Sequence, residues 1–208
     1  MSDSKDQISI EEFDIKHIEE VSEIHMFSWA GHEISVILGK RYVSLFYQTI
    51  VDSPSAFGYV CSDGGKIVAY ATGFWDYEKF SSDLLRSNKL LLFRIFALRI
   101  LFGGLRLRDV YEIYSDGKTY KKLRYSKYHH NGLALRNEFR HTDIGRKAIL
   151  GVVEKVIETF RGANVPGCWG RTDYRNMAMQ KYYKKLGFNE VQKFWKHRSR
   201  YVIFEKTL

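Results

Sequence analysis

The chain has 208 residues, of which 45% are hydrophobic and 27% charged, a composition that suits a globular protein with a sizeable core. A formal net charge of +9 and a pI of about 9.4 make a surface attractive to polyanions, whether nucleic acid, anionic lipid or a phosphorylated ligand. No apolar run approaches the roughly 20 residues of a membrane span, and the two cysteines lack any metal-binding spacing, so a zinc site is excluded.

The opening MSDSKDQ is acidic and polar, so no secretory signal is expected there. Cys61 and Cys168 are read as unpaired thiols of a reducing, cytoplasmic setting. Cys168, beside Trp169 in a short apolar run, reads as a packed core thiol. Alternating Ile8 and Ile10 predict a strand over 8–13, and Asp14 is a candidate cap for the next helix. Apolar residues at helical spacing predict helices over 17–29 and 35–51, joined near Gly31. His17, His25 and His32 have no metal-like spacing and read as surface or satisfied histidines. Strands over 57–62 and 66–75 flank Asp63-Gly64-Gly65, whose glycines tolerate positive φ, so a hairpin is predicted.

The stretch 78–122 breaks the rhythm. Within it 87–102, SNKLLLFRIFALRILF, is apolar on nearly every helical face and must be covered. Either it packs on the domain or on a second copy, or 87–108 lies at a membrane interface with Arg86, Arg94, Arg99, Arg106 and Arg108 at lipid phosphates. Residues 111–122 read as loop or weak strand. A strand over 125–136 follows, then a turn through Asn137-Glu138-Phe139 and a helix over 145–161 with Ile149, Val152, Val153, Val156, Ile157 and Phe160 as its buried stripe. Residues 168–172 read as a strand. A helix over 176–186 is closed by Gly187 at C′. Alternating patterns over 190–195 and 199–205 predict a closing hairpin.

This order gives an α+β fold, a mixed central sheet flanked by helices, as one domain over 1–208 with a basic, apolar helical insertion at about 78–122. The run Leu133 to Leu150, LALRNEFRHTDIGRKAIL, passes from strand through turn to helix N-terminus. The first helical N–H groups have no partner inside the helix and the macrodipole adds partial positive charge. Arg140, His141, Arg146 and Lys147 gather there, so a phosphate or pyrophosphate is the expected guest.

Two motifs in this order resemble the GNAT superfamily of acyl-CoA-dependent N-acetyltransferases. The first, Arg140-His141-Thr142-Asp143-Ile144-Gly145, is similar to its pyrophosphate pattern R/Q-x-x-G-x-G/A. The second, NMAMQKYYKKLGF, matches N-x-x-x-x-x-x-Y-x-x-x-G-F at Asn176, Tyr183, Gly187 and Phe188. The resemblance covers nearly the whole chain except the insertion. It implies acetyl-CoA as co-substrate, no metal, and direct attack of a primary amine on the thioester, the acceptor being a small molecule or amino sugar.

By the same resemblance, Leu133, Ala134 and Leu135 hold pantetheine through their backbone. Amides of His141, Thr142, Asp143, Ile144, Gly145 and Arg146, with Arg140, hold the pyrophosphate. Asn176 contacts pantetheine or the thioester, and Tyr183 protonates the departing thiolate. For the general base the candidates are His130 and Asp76. Asp143 stands where the family prefers Gly; Asp tolerates left-handed backbone, and its carboxylate is a candidate helix cap in competition with the pyrophosphate. That departure keeps open a non-catalytic, CoA-binding protein with a binding or scaffold role. Nucleic acid is not the expected partner, because the aromatics sit at core spacing rather than interleaved with Lys and Arg on a strand face.

Overall fold

A computed structural model describes residues 8–29, 33–106, 109, 120–196 and 199–208. Seven strands form one sheet in the order β1-β2-β3-β4-β5-β7-β6: β1 Ser9–Glu12, β2 Ala56–Asp63, β3 Lys66–Phe74, β4 His129–Leu135, β5 Gly167–Asp173, β6 Asn189–Lys196 and β7 Ser199–Thr207. Every neighbouring pair is antiparallel except β4 and β5. The helices bounded within the described residues are α1 Ile18–Ser28, α2 Ile34–Leu38, α3 Lys40–Asp52, α4 Tyr77–Ser87, α5 Lys89–Leu101, α6 Asp143–Gly162 and α7 Met177–Lys185. The architecture is the expected α+β one, a mixed sheet with helices on its faces.

The β2–β3 hairpin turns on Gly64 and Gly65 at φ 57° and 82°, the pair of positive angles that suits the twist of the flanking strands. Asp14 caps a short 3-10 turn, Ile15–His17, that leads into α1. On one face of the sheet α6 buries Val152, Val153, Val156, Ile157 and Phe160 against Cys61, Val68, Cys168 and Phe204. Each such side chain gains about 1.5–3 kcal/mol over exposure, so packing of this stripe, more than helix propensity, fixes α6 on the sheet. The opposite face packs α1 and α3, through Val21, Ile24, Val43, Tyr47 and Ile50, on Val60, Tyr70, Phe74 and Ala134. Both cysteines are free and buried; burial raises the thiol of Cys61 to about 11 and that of Cys168 to about 12.

Two expectations are corrected. The single helix read over 35–51 is two, α2 and α3, because Gly39 takes φ +96°, outside the helical region, and caps α2. The strand read over 125–136 is shorter, since 121–127 is built of turns, closed by the Tyr128 N–H to Tyr125 O bond. The stretch after β3 opens with α4, capped by Asp76, which accepts a hydrogen bond from the Lys79 N–H at 2.9 Å. The readings of Gly31, His32, Arg108 and 111–119 fall outside the described residues. Among the described residues no helix is long and apolar enough to cross a membrane.

Candidate active site

The parallel pair β4–β5 is joined only at its start, His129 with Trp169 and His130 with Gly170. Beyond that point β4 runs on to Leu135 and β5 to Asp173 without pairing, so the sheet opens into a V. A bulge in β4 helps to part them. Thr72 pairs with Asn131 and Tyr70 with Ala134, leaving Gly132 and Leu133 opposite Ala71 alone. Gly132 sits at φ +55°, and a Cβ there would fall 2.6 Å from Thr72 Oγ1. Peptide directions alternate along a strand, and the Arg136 N–H bonds Val68 O on the β3 side at 2.8 Å. The N–H and C=O of Leu133 and Leu135 therefore face the opening. At its far end the Ser28 hydroxyl of α1 donates to Leu135 O at 3.2 Å.

The chain then turns through Asn137–Phe139 into α6. Thr142, not Asp143, is the N-cap: its Oγ1 accepts from the Gly145 N–H at 3.0 Å. Asp143 is the first helical residue, and the left-handed backbone belongs to His141 at φ 69°. Gly145 is required by contact, because a Cβ there would stand 2.0 Å from Phe139 O. Among the described residues the N–H groups of His141, Asp143 and Ile144 find no protein acceptor, which leaves them for an anion at the helix start. Arg140 lies over the exposed Phe27 ring at 5.9 Å, and Arg146 pairs with Asp143 at 3.1 Å. The cations expected at this turn are present, but one of them is already engaged by a carboxylate.

Tyr183 comes up beneath the point of the V. Its ring stacks on Phe204 at 5.1 Å and meets Phe188 edge-on at 5.1 Å, the latter carried inward by Gly187 at φ +81°. Its hydroxyl lies 2.9 Å from His130 Nδ1. Gly170 makes room, since a Cβ at that position would be 2.6 Å from Tyr183 Oη. Burial, with smaller contributions from Cys168 and Tyr182, pushes the phenol well above its ordinary value, and burial lowers His130 to about 4. At neutral pH both groups are uncharged. His130 Nε2 is buried and bonds no other described atom.

The other face of the V is lined differently. His129 stacks flat on Trp169 at 3.6 Å, and Tyr120 covers Trp169 at 4.7 Å. Arg171 of β5 donates to the Tyr120 hydroxyl at 2.9 Å and pairs with Glu33 at 3.3 Å; the Tyr201 hydroxyl donates to Glu33 at 3.0 Å. Burial alone would discourage the Arg171 cation, but Glu33 and the surrounding phenols outweigh it and hold the guanidinium charged.

The structure thus brings together Leu133, Leu135, His130 and Tyr183 at the V, with Arg140, His141, Thr142, Asp143, Ile144, Gly145 and Arg146 at the helix start; Ala134, expected to hold pantetheine, turns its backbone to β3 and its side chain into the α1–α3 core. Asn176 caps α7 through Oδ1, accepting from the Met179 N–H at 3.1 Å. Asp76 is not brought to the V. It follows β3 near the start of β4, where Phe74 pairs with His129, and its carboxylate is spent on capping α4. His129 and His130 face opposite sides of the sheet, as alternation requires. Sequence reasoning missed Glu33 and Arg171. A Glu between helices reads as exposed, and nothing local marks its partner 138 residues away.

Neither a family model nor a curated protein sequence matches the chain. Solved structures do. The ribosomal-protein-S18-alanine N-acetyltransferase of Escherichia coli is 12% identical, with a TM-score of 0.59 over 97% of this chain and 94% of that one. Arabidopsis thaliana NAA60, solved with acetyl-CoA, is 14% identical at 0.58, over 97% and 99%. The aminoglycoside N-acetyltransferase AAC(6')-Iy, solved with CoA, is 12% identical at 0.58, over 95% and 99%. At these identities the likeness is one of fold, and the fold of this chain is the GNAT acetyltransferase fold.

Proposed function

We propose that the protein transfers an acetyl group from acetyl-CoA to a primary amine of a small molecule or amino sugar. The observation that carries this reading is the unpaired β4 edge opening directly above a buried tyrosine hydroxyl, with free helix N–H groups at its mouth. In this reading pantetheine adds along β4, taking the N–H and C=O of Leu133 and Leu135 as a strand would. The pyrophosphate sits on the N–H groups of His141, Asp143 and Ile144, beside Arg140. The acceptor enters from the face of Glu33 and Arg171 and attacks the thioester carbon. The carbon–sulfur bond then breaks, CoA leaves as a thiolate hydrogen-bonded by Tyr183, the amine nitrogen gives its proton to solvent, and the released thiolate takes one up from solvent.

Tyr183 serves the leaving sulfur. A phenol this deeply buried holds its proton more tightly than a free thiol of ordinary pKa near 8.5, so it hydrogen-bonds the developing thiolate rather than ionising ahead of it. With its own proton on Nδ1, His130 donates to Tyr183 Oη and leaves the phenolic proton free for sulfur. His130 is therefore a positioning residue for Tyr183 rather than the base that deprotonates the amine. The Asn176 amide NH2 remains available to pantetheine after Oδ1 has capped α7.

The test is release of free CoA from acetyl-CoA over a panel of amines. Tyr183→Phe is expected to lower kcat by about 10²–10³, the usual worth of one donor placed at a developing charge, while leaving acetyl-CoA affinity unchanged. Full activity in this variant would remove Tyr183 from the reaction. A second reading, CoA binding without turnover, draws on the Asp143–Arg146 pair at the helix start; CoA affinity with no transfer to any amine would favour it.

A further inference from the structure

We infer that the outward face of α5 docks on an anionic lipid bilayer. Helix α5 buries Leu92 and Ile95 on its inward side, Ile95 packing with Ile34 and Leu38 of α2 and with Leu105. Its outward face should then be polar, and it is not. Leu90, Phe93 and Leu101 stand 79%, 72% and 78% exposed, and Phe102, just past the helix end, 84%. At about 100° per residue, Leu90, Phe93, Ala97 and Leu101 fall within an arc of about 80°. Exposed Leu98 widens this arc, and Leu85 of α4 is also exposed. Contiguous apolar surface of this kind marks an interaction site.

Charge selects the occupant. From Arg86 to Arg106 the chain carries five cations and no acidic residue. Arg86, Lys89 and Arg94 are exposed and pair with no carboxylate among the described residues. Helical spacing sets Arg94 between Leu90 and Leu98, inside the apolar arc rather than at its margin. A symmetric contact with a second copy would set Lys89 and Arg94 against the same segment of the other copy, which offers no carboxylate to neutralise them. Lipid phosphates supply that countercharge, while the long Arg and Lys stems lie along the apolar surface and their heads reach the headgroup layer. At 13 residues α5 is too short to cross, so it lies in the plane of the interface.

The experiment is co-sedimentation with vesicles of phosphatidylcholine alone and of phosphatidylcholine with about one third phosphatidylglycerol, at about 0.1 M salt, where surface charge still acts over about 10 Å. The protein is expected to sediment with the anionic vesicles and not with the neutral ones. Leu90→Ser/Phe93→Ser/Leu101→Ser should abolish the association. Arg86→Gln/Lys89→Gln/Arg94→Gln should weaken it about a hundredfold, the share three cations take in attraction to an anionic surface. All six positions are exposed, so both variants should keep the wild-type circular dichroism and acetyl-CoA affinity. Failure of the folded protein to bind anionic vesicles would overturn the inference, as would equal binding to neutral ones. A stable dimer in light scattering that Phe93→Asp dissociates would also overturn it and assign the face to a second copy. The inference does not rest on acetyl transfer and can hold when acetyl-CoA fails to bind.

Discussion

Tyr183 owes its position to its neighbours more than to its helix. Phe188 and Phe204 hold the ring, His130 holds the hydroxyl, and Gly170 leaves the space it fills. Its place on α7 was legible from Asn176, Gly187 and Phe188, because caps and a C′ glycine are local signals. The hydrogen bond to His130 was not, since it joins residues 53 apart on two different elements. The same limit applies at the helix start. The sequence motif directs attention to Asp143 as the unusual backbone position, whereas that position is His141 and the cap is Thr142. Asp143 acts instead through charge. Its carboxylate adjoins the N–H groups proposed for the pyrophosphate and engages Arg146 at 3.1 Å. Asp143→Asn should therefore tighten acetyl-CoA binding by about three- to tenfold, the removal of one like charge near an exposed site. Unchanged or weaker binding by calorimetry would refute the repulsion.

At the scale of elements, glycine contacts set the shape of the site. Gly132 permits the bulge in β4, Gly145 lets α6 begin hard against the turn at Phe139, and Gly170 admits the tyrosine. Gly170→Ala should lower kcat at least as far as Tyr183→Phe, because the new Cβ would stand 2.6 Å from the hydroxyl and force it off His130. Acetyl-CoA affinity should survive, since Leu133, Leu135 and the start of α6 are untouched. Steady-state rates beside a binding isotherm separate the two effects. The hairpin, α6 and α7 were readable because turn glycines and apolar periodicity coincide. The break between α2 and α3 was not, because the apolar spacing runs on across Gly39 and only the backbone, at φ +96°, shows that the helix ends there.

For the whole molecule, the composition foretold a core but not how much polarity it would hold. His25 is buried with Nδ1 2.8 Å from the Tyr47 hydroxyl and Nε2 2.8 Å from Ser35 Oγ, and burial lowers it, like His130, to about 4. Each unfolds to a histidine of ordinary pKa near 6.5. Between those values the unfolded chain binds protons that the folded chain does not, so stability rises with pH. The contribution is complete above about pH 6.5 and drains away as pH falls toward 4. Two such groups predict a loss of about 2–3 kcal/mol per pH unit between about pH 6 and 4.5, and His25→Asn should about halve that slope in urea titrations. A flat profile would mean these histidines are protonated in the fold. The buried Glu33–Arg171 pair links the segment before α2 to β5. Arg171→Met, which removes the cation beside this buried carboxylate, should cost about 3–5 kcal/mol by the same titration.

The central claim, that the V between β4 and β5 receives acetyl-CoA, is most directly tested by calorimetric titration of acetyl-CoA into the wild-type protein and Gly145→Ala. One-to-one binding in the micromolar range is expected for the wild type. The variant should lose at least about tenfold in affinity, about 1.4 kcal/mol of binding energy, because a Cβ 2.0 Å from Phe139 O must displace the turn that presents the N–H groups. No binding to folded wild-type protein, or equal affinity in the two proteins, would contradict it.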